Sequence, residues 1–120
     1  MNPQSANEKR PFIANQILFR KEFMETIKMF DKIGNFGENK DLAKKMREEI
    51  LLPALEKNNA VTFDFADVSG VTQSFIHALL SEAMRKFPKR FYDNVFFKNT
   101  DDDIREIISI VYRYMQESLN

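Results

Sequence analysis

Cysteine is absent from this 120-residue chain. That excludes a disulfide scaffold, a thiol nucleophile and a thiolate zinc site, and it fits a reducing compartment. Glycine is scarce, and Gly34, Gly37 and Gly70 are too scattered to form a phosphate-cradling loop, which disfavours a nucleotide enzyme. His77 is the only histidine. Neither a histidine-paired nucleophile nor a multi-histidine metal site can be assembled, so His77 reads as a partly buried structural imidazole and no cofactor or metal is expected. An excess of charge of either sign is missing too. Lys plus Arg and Asp plus Glu stand at 18 each, so no global field draws the chain to nucleic acid or to an anionic membrane. No segment approaches the roughly 18–20 apolar residues of a membrane helix, and the opening MNPQSANEKRP has no apolar signal-like core. The expectation is a soluble cytoplasmic protein.

What the sequence does contain is one core's worth of apolar residues, 43% of the chain, against 30% charged. Residues 1–12 are polar and read as a disordered tail, leaving residues 13–120 as a single domain. Residues 16–23 fit either a strand or a short helix. A strand is expected at 26–31, ended by the turn at Gly34-Asn35-Phe36-Gly37. Asn39 is placed to cap a helix carrying Leu42, Met46, Ile50 and Ala54 at i, i+4 spacing, which Pro53 should kink. Val61, Phe63 and Phe65 then alternate with Thr62, Asp64 and Ala66, the period of a strand with one core face.

A second helix spans 72–87, with Ile76, Leu79, Leu80, Ala83 and Phe87 inward and Pro88 closing it. A short strand at 93–98 follows. Thr100 is expected to cap a third helix on which Ile104, Ile107, Ile108, Val111 and Met115 form the apolar face, with Asp101, Asp102 and Asp103 on its positive end. Three consecutive helical aspartates diverge too widely to hold one cation. Tyr112 and Tyr114 lie off the stripe as candidate interface anchors, a homodimer included. Arg85, Lys86, Lys89 and Arg90 read as a solvated helix end. The order strand, helix, strand, helix, strand, helix predicts an α/β fold with a small, mostly parallel sheet packed against helices.

Function is sought where the strand around Phe63 turns into the helix beginning near Thr72. Strand ends and the unpaired N–H groups that open a helix converge there, a place suited to a phosphate or a partner's anion. Ser69, Gly70, Thr72, Gln73, Ser74 and Phe75 are the candidate contact residues. On the alternative reading, Thr72 and Ser74 simply cap the helix. A second candidate is Asp64 with Lys98 and Asp31 at strand ends, an arrangement that resembles a phosphorelay receiver or a ligand site, although the chain has too few strand-helix units for a receiver and lacks paired acids after its first strand.

The succession of IKMFDKIG, a charged helix, VTFDFADVSGVTQSF, a further helix, VFFKN and a closing helix resembles the STAS-like family of small bacterial proteins, relatives of the STAS domain of anti-sigma factor antagonists. The likeness covers about residues 25–117 and is most specific at Asp64-Phe65-Ala66-Asp67-Val68 and Thr72-Gln73-Ser74-Phe75. It implies a small βαβαβα domain acting as a non-catalytic interaction module in signalling, with a partner that is an anti-sigma-type kinase of ATPase fold. It also implies that a serine at the start of the helix after the second core strand is phosphorylated, breaking the complex. Laid over the antagonists' Asp-Ser-Ser-Gly run, Thr72 falls at the Asp, Gln73 at the first Ser, Ser74 at the accepting Ser and Phe75 at the Gly. Only Ser74 matches.

Overall fold

A computed structural model describes residues 24–119. The tail assigned to residues 1–12 and the strand-or-helix alternative at 16–23 lie outside them. The core is a parallel sheet of three strands: β1 (Met24–Lys28), β3 (Ala60–Asp64) and β5 (Val95–Lys98), with β3 in the middle. Its register aligns Ile27 with Phe63 and Phe97, and Lys28 with Asp64 and Lys98. Side chains alternate across the pleat, so the first row faces the core and the second lies on the opposite face. Both edges of β3 are paired, and all five of its residues are buried, Thr62 and Asp64 included. The expectation of one buried face is corrected to that extent: a central strand is shielded on its polar side as well.

The strand expected at 26–31 ends at Lys28, and Met29–Ile33 form a short helix, α1. The physical reason is the partner strand. Pairing stops at Lys28 with Asp64, and beyond it the chain finds backbone partners by turning helical, until Gly34 at φ 70° terminates the turn and its N–H returns to the Phe30 carbonyl. A second, two-residue parallel pair joins β2 (Phe36–Gly37) to β4 (Gly70–Val71). It is extended by the Thr72 N–H donating to the Gly37 carbonyl at 2.9 Å and the Ser69 N–H to that of Asn35 at 2.7 Å. These bonds fix the segment before the candidate site.

Asn39 caps as expected, its Oδ1 accepting from the Leu42 N–H at 3.1 Å. The helix runs as α2 (Lys40–Met46), one π turn (Arg47–Leu51) and α3 (Leu52–Glu56). Pro53 is accommodated by that wider turn: a residue inserted into the ladder moves the register past the position where proline lacks an N–H. It also changes the buried stripe, which becomes Ala43, Met46, Leu51, Ala54 and Leu55, with Leu42 and Ile50 only half-buried. The central helix α4 (Gln73–Lys86) buries Phe75, Ile76, Leu79, Leu80 and Ala83. Pro88 ends it and also opens a further helix that the sequence reading missed, α5 (Pro88–Asn94). Proline is well suited to a first helical turn, where its missing N–H has no partner to lose.

Arg90 of α5 is not a merely solvated cation. Its Nη1 donates to the carbonyls of Leu55 and Glu56 at 3.1 and 3.0 Å, closing the C-terminus of α3. The last helix, α6 (Asp102–Leu119), is capped by Asp101 rather than Thr100: Asp101 Oδ1 accepts from the Ile104 N–H at 2.8 Å. A carboxylate both accepts that N–H and complements the helix dipole, so it displaces a neutral hydroxyl one residue away. Ile104, Ile108, Val111 and Met115 are buried against the core as expected, and Ile107 is half-buried. Tyr112 packs against Phe91, Tyr92 and Phe97. Burial, reinforced by Tyr92, pushes its phenol well above the ordinary range. It belongs to an aromatic cluster rather than to a free surface.

No helix among the described residues is long and apolar enough to cross a membrane.

Candidate functional site

The opening of α4 assigns distinct tasks to adjacent residues. Thr72 is the N-cap, and its Oγ1 accepts from the Phe75 N–H at 3.1 Å. Phe75 is fully buried and anchors the turn to the core. Gln73 and Ser74, between them, are exposed. Because Thr72 already supplies the cap, the Ser74 hydroxyl is left unused: it has no hydrogen bond to a described residue.

The candidate segment 69–75 does not present a single surface. Ser69 donates its hydroxyl to the Asn35 carbonyl at 2.8 Å, a bond that stitches β4 to the turn before β2. Ser69 and Gly70 line a cleft of about 350 Å³ with Phe36, Ile107 and Ile110, rimmed by Asp103 and Glu106. The Phe36 ring lies over Gly70 so closely that a Cβ there would meet it at 2.9 Å. Ser74 and Gln73 instead line a larger groove of about 750 Å³. Thr72 and Phe75 are the internal hinge between the two.

The larger groove is bordered by cations that sequence reasoning passed over. Lys40, Lys44 and Arg47 border it from α2 and the π turn, while Ser81 and Tyr114 reach it from α4 and α6. The three cations are four and three residues apart and therefore share a helical face. That spacing was visible in the sequence but is indistinguishable there from an ordinary solvated face. Arg47 ties the wall together by donating from Nη1 to the Ala78 carbonyl at 3.3 Å and from Nε to Glu48 at 2.8 Å. His77 is half-buried and meets the Tyr114 ring edge-on at 5.8 Å.

The second candidate, at the strand ends, is an internally satisfied carboxylate. Asp64 Oδ1 accepts from the Asn99 side-chain amide at 2.8 Å and from the Ala66 N–H at 3.0 Å. The Asn99 bond, then the Ala66 bond, hold its carboxyl below the usual aspartate range against the opposing effect of burial, and the Lys98 and Lys28 charges add to them. Asp31 shares a small cleft of about 200 Å³ with Asp64, Lys28 and Asp67. Lys98 is beside Asp64 by strand register but does not border that cleft. Among the described residues no three His, Cys, Asp or Glu side chains are grouped to hold a metal ion.

Two comparisons, one with curated proteins and one with solved structures, return no match. A third matches residues 43–105, just over half of the chain, to the family described as STAS-like domain of unknown function. The chain belongs to that family. The matched span runs from α2 to the first turn of α6 and so contains β3, the Thr72 cap, Ser74, Asp64 and Lys98.

Proposed function

We propose that this STAS-like chain is a non-catalytic interaction module that docks a regulatory protein through residues 69–75, in the manner of an anti-sigma factor antagonist, and that phosphate on Ser74 releases the partner. One observation carries the reading: Ser74 is an exposed hydroxyl in the first turn of a 14-residue helix, spared from capping by Thr72. A kinase can reach such a group. A phosphate there would bring roughly −1.5 to −2 charges beside the N–H groups of the helix and the cations of α2, while adding bulk and charge to the rim a partner must cover. A partner that docks across residues 69–75 also meets the half-exposed Phe36 ring, which lines the separate cleft of Ser69 and Gly70. The partner class is an ATPase-fold protein kinase. The alternative use of Asp64 and Lys98 as a receiver-type site has less support, because the Asp64 carboxylate is already engaged by Asn99 and Ala66.

The test is capture of the partner on immobilised native, Ser74→Ala and Ser74→Glu chains, followed by incubation of the captured protein with ATP and the native chain. The same protein should bind native and Ser74→Ala chains, fail to bind Ser74→Glu, and transfer phosphate to Ser74 alone. Equal capture by Ser74→Glu, or transfer to another residue, overturns the switch.

A further inference from the structure

The larger groove has properties that docking through residues 69–75 does not require. Ser81 is a buried polar residue, 4% exposed, and it lines the groove. Among the described residues its hydroxyl has no hydrogen-bond partner. A buried hydroxyl left without a partner is destabilising, and such a group calls for an explanation such as a ligand that accepts its proton. The charges call for one as well. Lys40 occupies the first position of α2, on the positive end of the helix dipole, where a cation is unfavourable. Lys44 follows at i+4, a like-charge spacing that also destabilises a helix. Among the described residues neither lysine has a carboxylate within 4.0 Å, and no carboxylate borders the groove. The α4 N-terminus opens onto the same space through Ser74, and its free N–H groups favour an anion. Tyr114, 56% exposed, stands on the wall formed by α6, in edge contact with His77.

We infer that this groove binds a small phosphate-bearing ligand, with Lys40, Lys44 and the α4 N-terminus holding the phosphate, Ser81 donating a hydrogen bond, and Tyr114 lining the side where a substituent on the phosphate would lie. The groove's volume of about 750 Å³ falls within the usual 300–1,000 Å³ range of small-ligand sites. An anion there removes three unfavourable terms together: the lysine repulsion, the cation at a helix start and the unsatisfied hydroxyl. The inference shares Ser74 with the docking proposal but is read on the isolated chain, so either can fail without the other.

The experiment is titration of the full chain with inorganic phosphate and with phenyl phosphate, followed by amide chemical shifts and by calorimetry. Saturable shifts should appear at residues 73–81. Lys44→Gln should weaken both probes roughly tenfold, the equivalent of about 1.4 kcal/mol. Ser81→Ala is the decisive variant, because removing a hydroxyl that has no protein partner leaves folding stability unchanged or raised while weakening both probes severalfold. Tighter binding of phenyl phosphate that disappears in Tyr114→Ala identifies a ring-bearing phosphomonoester. Equal affinities insensitive to Tyr114→Ala identify free phosphate, and either supports the site. No saturation by about 10 mM, an affinity of under 3 kcal/mol, overturns the inference. So do shifts that Lys44→Gln leaves unchanged, or a loss of stability in Ser81→Ala with binding intact.

Discussion

Replacing Asp64 tests whether the strand-end carboxylate is structural or is held in reserve for chemistry. In Asp64→Ala the Ala66 N–H and the Asn99 amide lose a charged acceptor, and bonds to a charged group contribute about 1.5–3 kcal/mol each. Asn99 also sits at φ 57°, a left-handed conformation that its side-chain bond to Asp64 helps to hold. Allowing for water reaching part of the vacated site, the expected loss is about 2–4 kcal/mol, or about 8–20 °C in Tm for a domain of this size. Urea unfolding at pH 7 measures it.

The pH dependence separates charge from hydrogen bonding. The folded carboxyl titrates below the ordinary aspartate value of 3.8, so the unfolded chain binds its proton first as acid is added. Its contribution is therefore complete above that value and is lost as pH falls through the folded one. Asp64→Asn retains an acceptor oxygen but not the charge. The stability gap between the native chain and Asp64→Asn should be constant near neutrality and close below about pH 4. A loss under about 1 kcal/mol in Asp64→Ala, or a gap that persists into acid, refutes the reasoning. Incubation with acetyl phosphate and magnesium should leave the mass of the chain unchanged, and a phosphoryl adduct at Asp64 would restore the receiver alternative.

Thr72→Ala should lower stability by about 1 kcal/mol through loss of the α4 cap, read by urea midpoint, with Thr72→Ser close to native. Gly37→Ala should cost about 1–3 kcal/mol, because its Cβ, even after the end of the Ile33 side chain 2.8 Å away has moved aside, is pressed against the buried Val71 at 3.3 Å. Gly70→Ala should cost less, since the half-exposed Phe36 ring can swing away; thermal melts that reverse this order would contradict the packing described. Arg90→Ala should cost about 1–2 kcal/mol by uncapping the Leu55 and Glu56 carbonyls, and hydrogen exchange at residues 52–59 should rise. Phe63→Ala, at the middle of the central strand, should cost about 3–5 kcal/mol in urea unfolding.

How far the sequence revealed this fold depended on whether each signal was local. Asn39 and Thr72 were legible as caps because capping is settled within three residues. Val61 and Phe63 were legible as a strand because their alternation has only one geometric reading. The end of β1 at Lys28 was not, since it is set by where Asp64 ends on the neighbouring strand, 36 residues later in the chain. Pro88 was ambiguous in principle: the same missing N–H that stops α4 suits the first turn of α5. The cap of α6 went to Asp101 over Thr100 on charge, a difference that spacing does not express. Nor did the sequence distinguish Ser69 and Gly70 from Gln73 and Ser74, four neighbours in the chain that the hinge at Thr72 and Phe75 directs into separate clefts.

That division bears on how the two proposals relate. A protein partner seated on Phe36, Ile107 and the Asp103-Glu106 rim approaches Ser69 and Gly70, whereas a phosphate held by Lys40 and Lys44 approaches Ser74 from the other side of the hinge. A phosphate attached to Ser74 would be anchored by its ester bond at the entrance of the lysine-lined groove, where its local concentration against those cations reaches the millimolar range typical of short tethers. Free ligand would then compete with a group already in place. Phosphorylated chain should accordingly bind phenyl phosphate at least tenfold more weakly than unmodified chain, and Ser74→Glu, with about half the charge, should show a smaller loss. Full affinity in the phosphorylated chain would place the ester outside the groove, and it would separate the switch at Ser74 from the cations of α2.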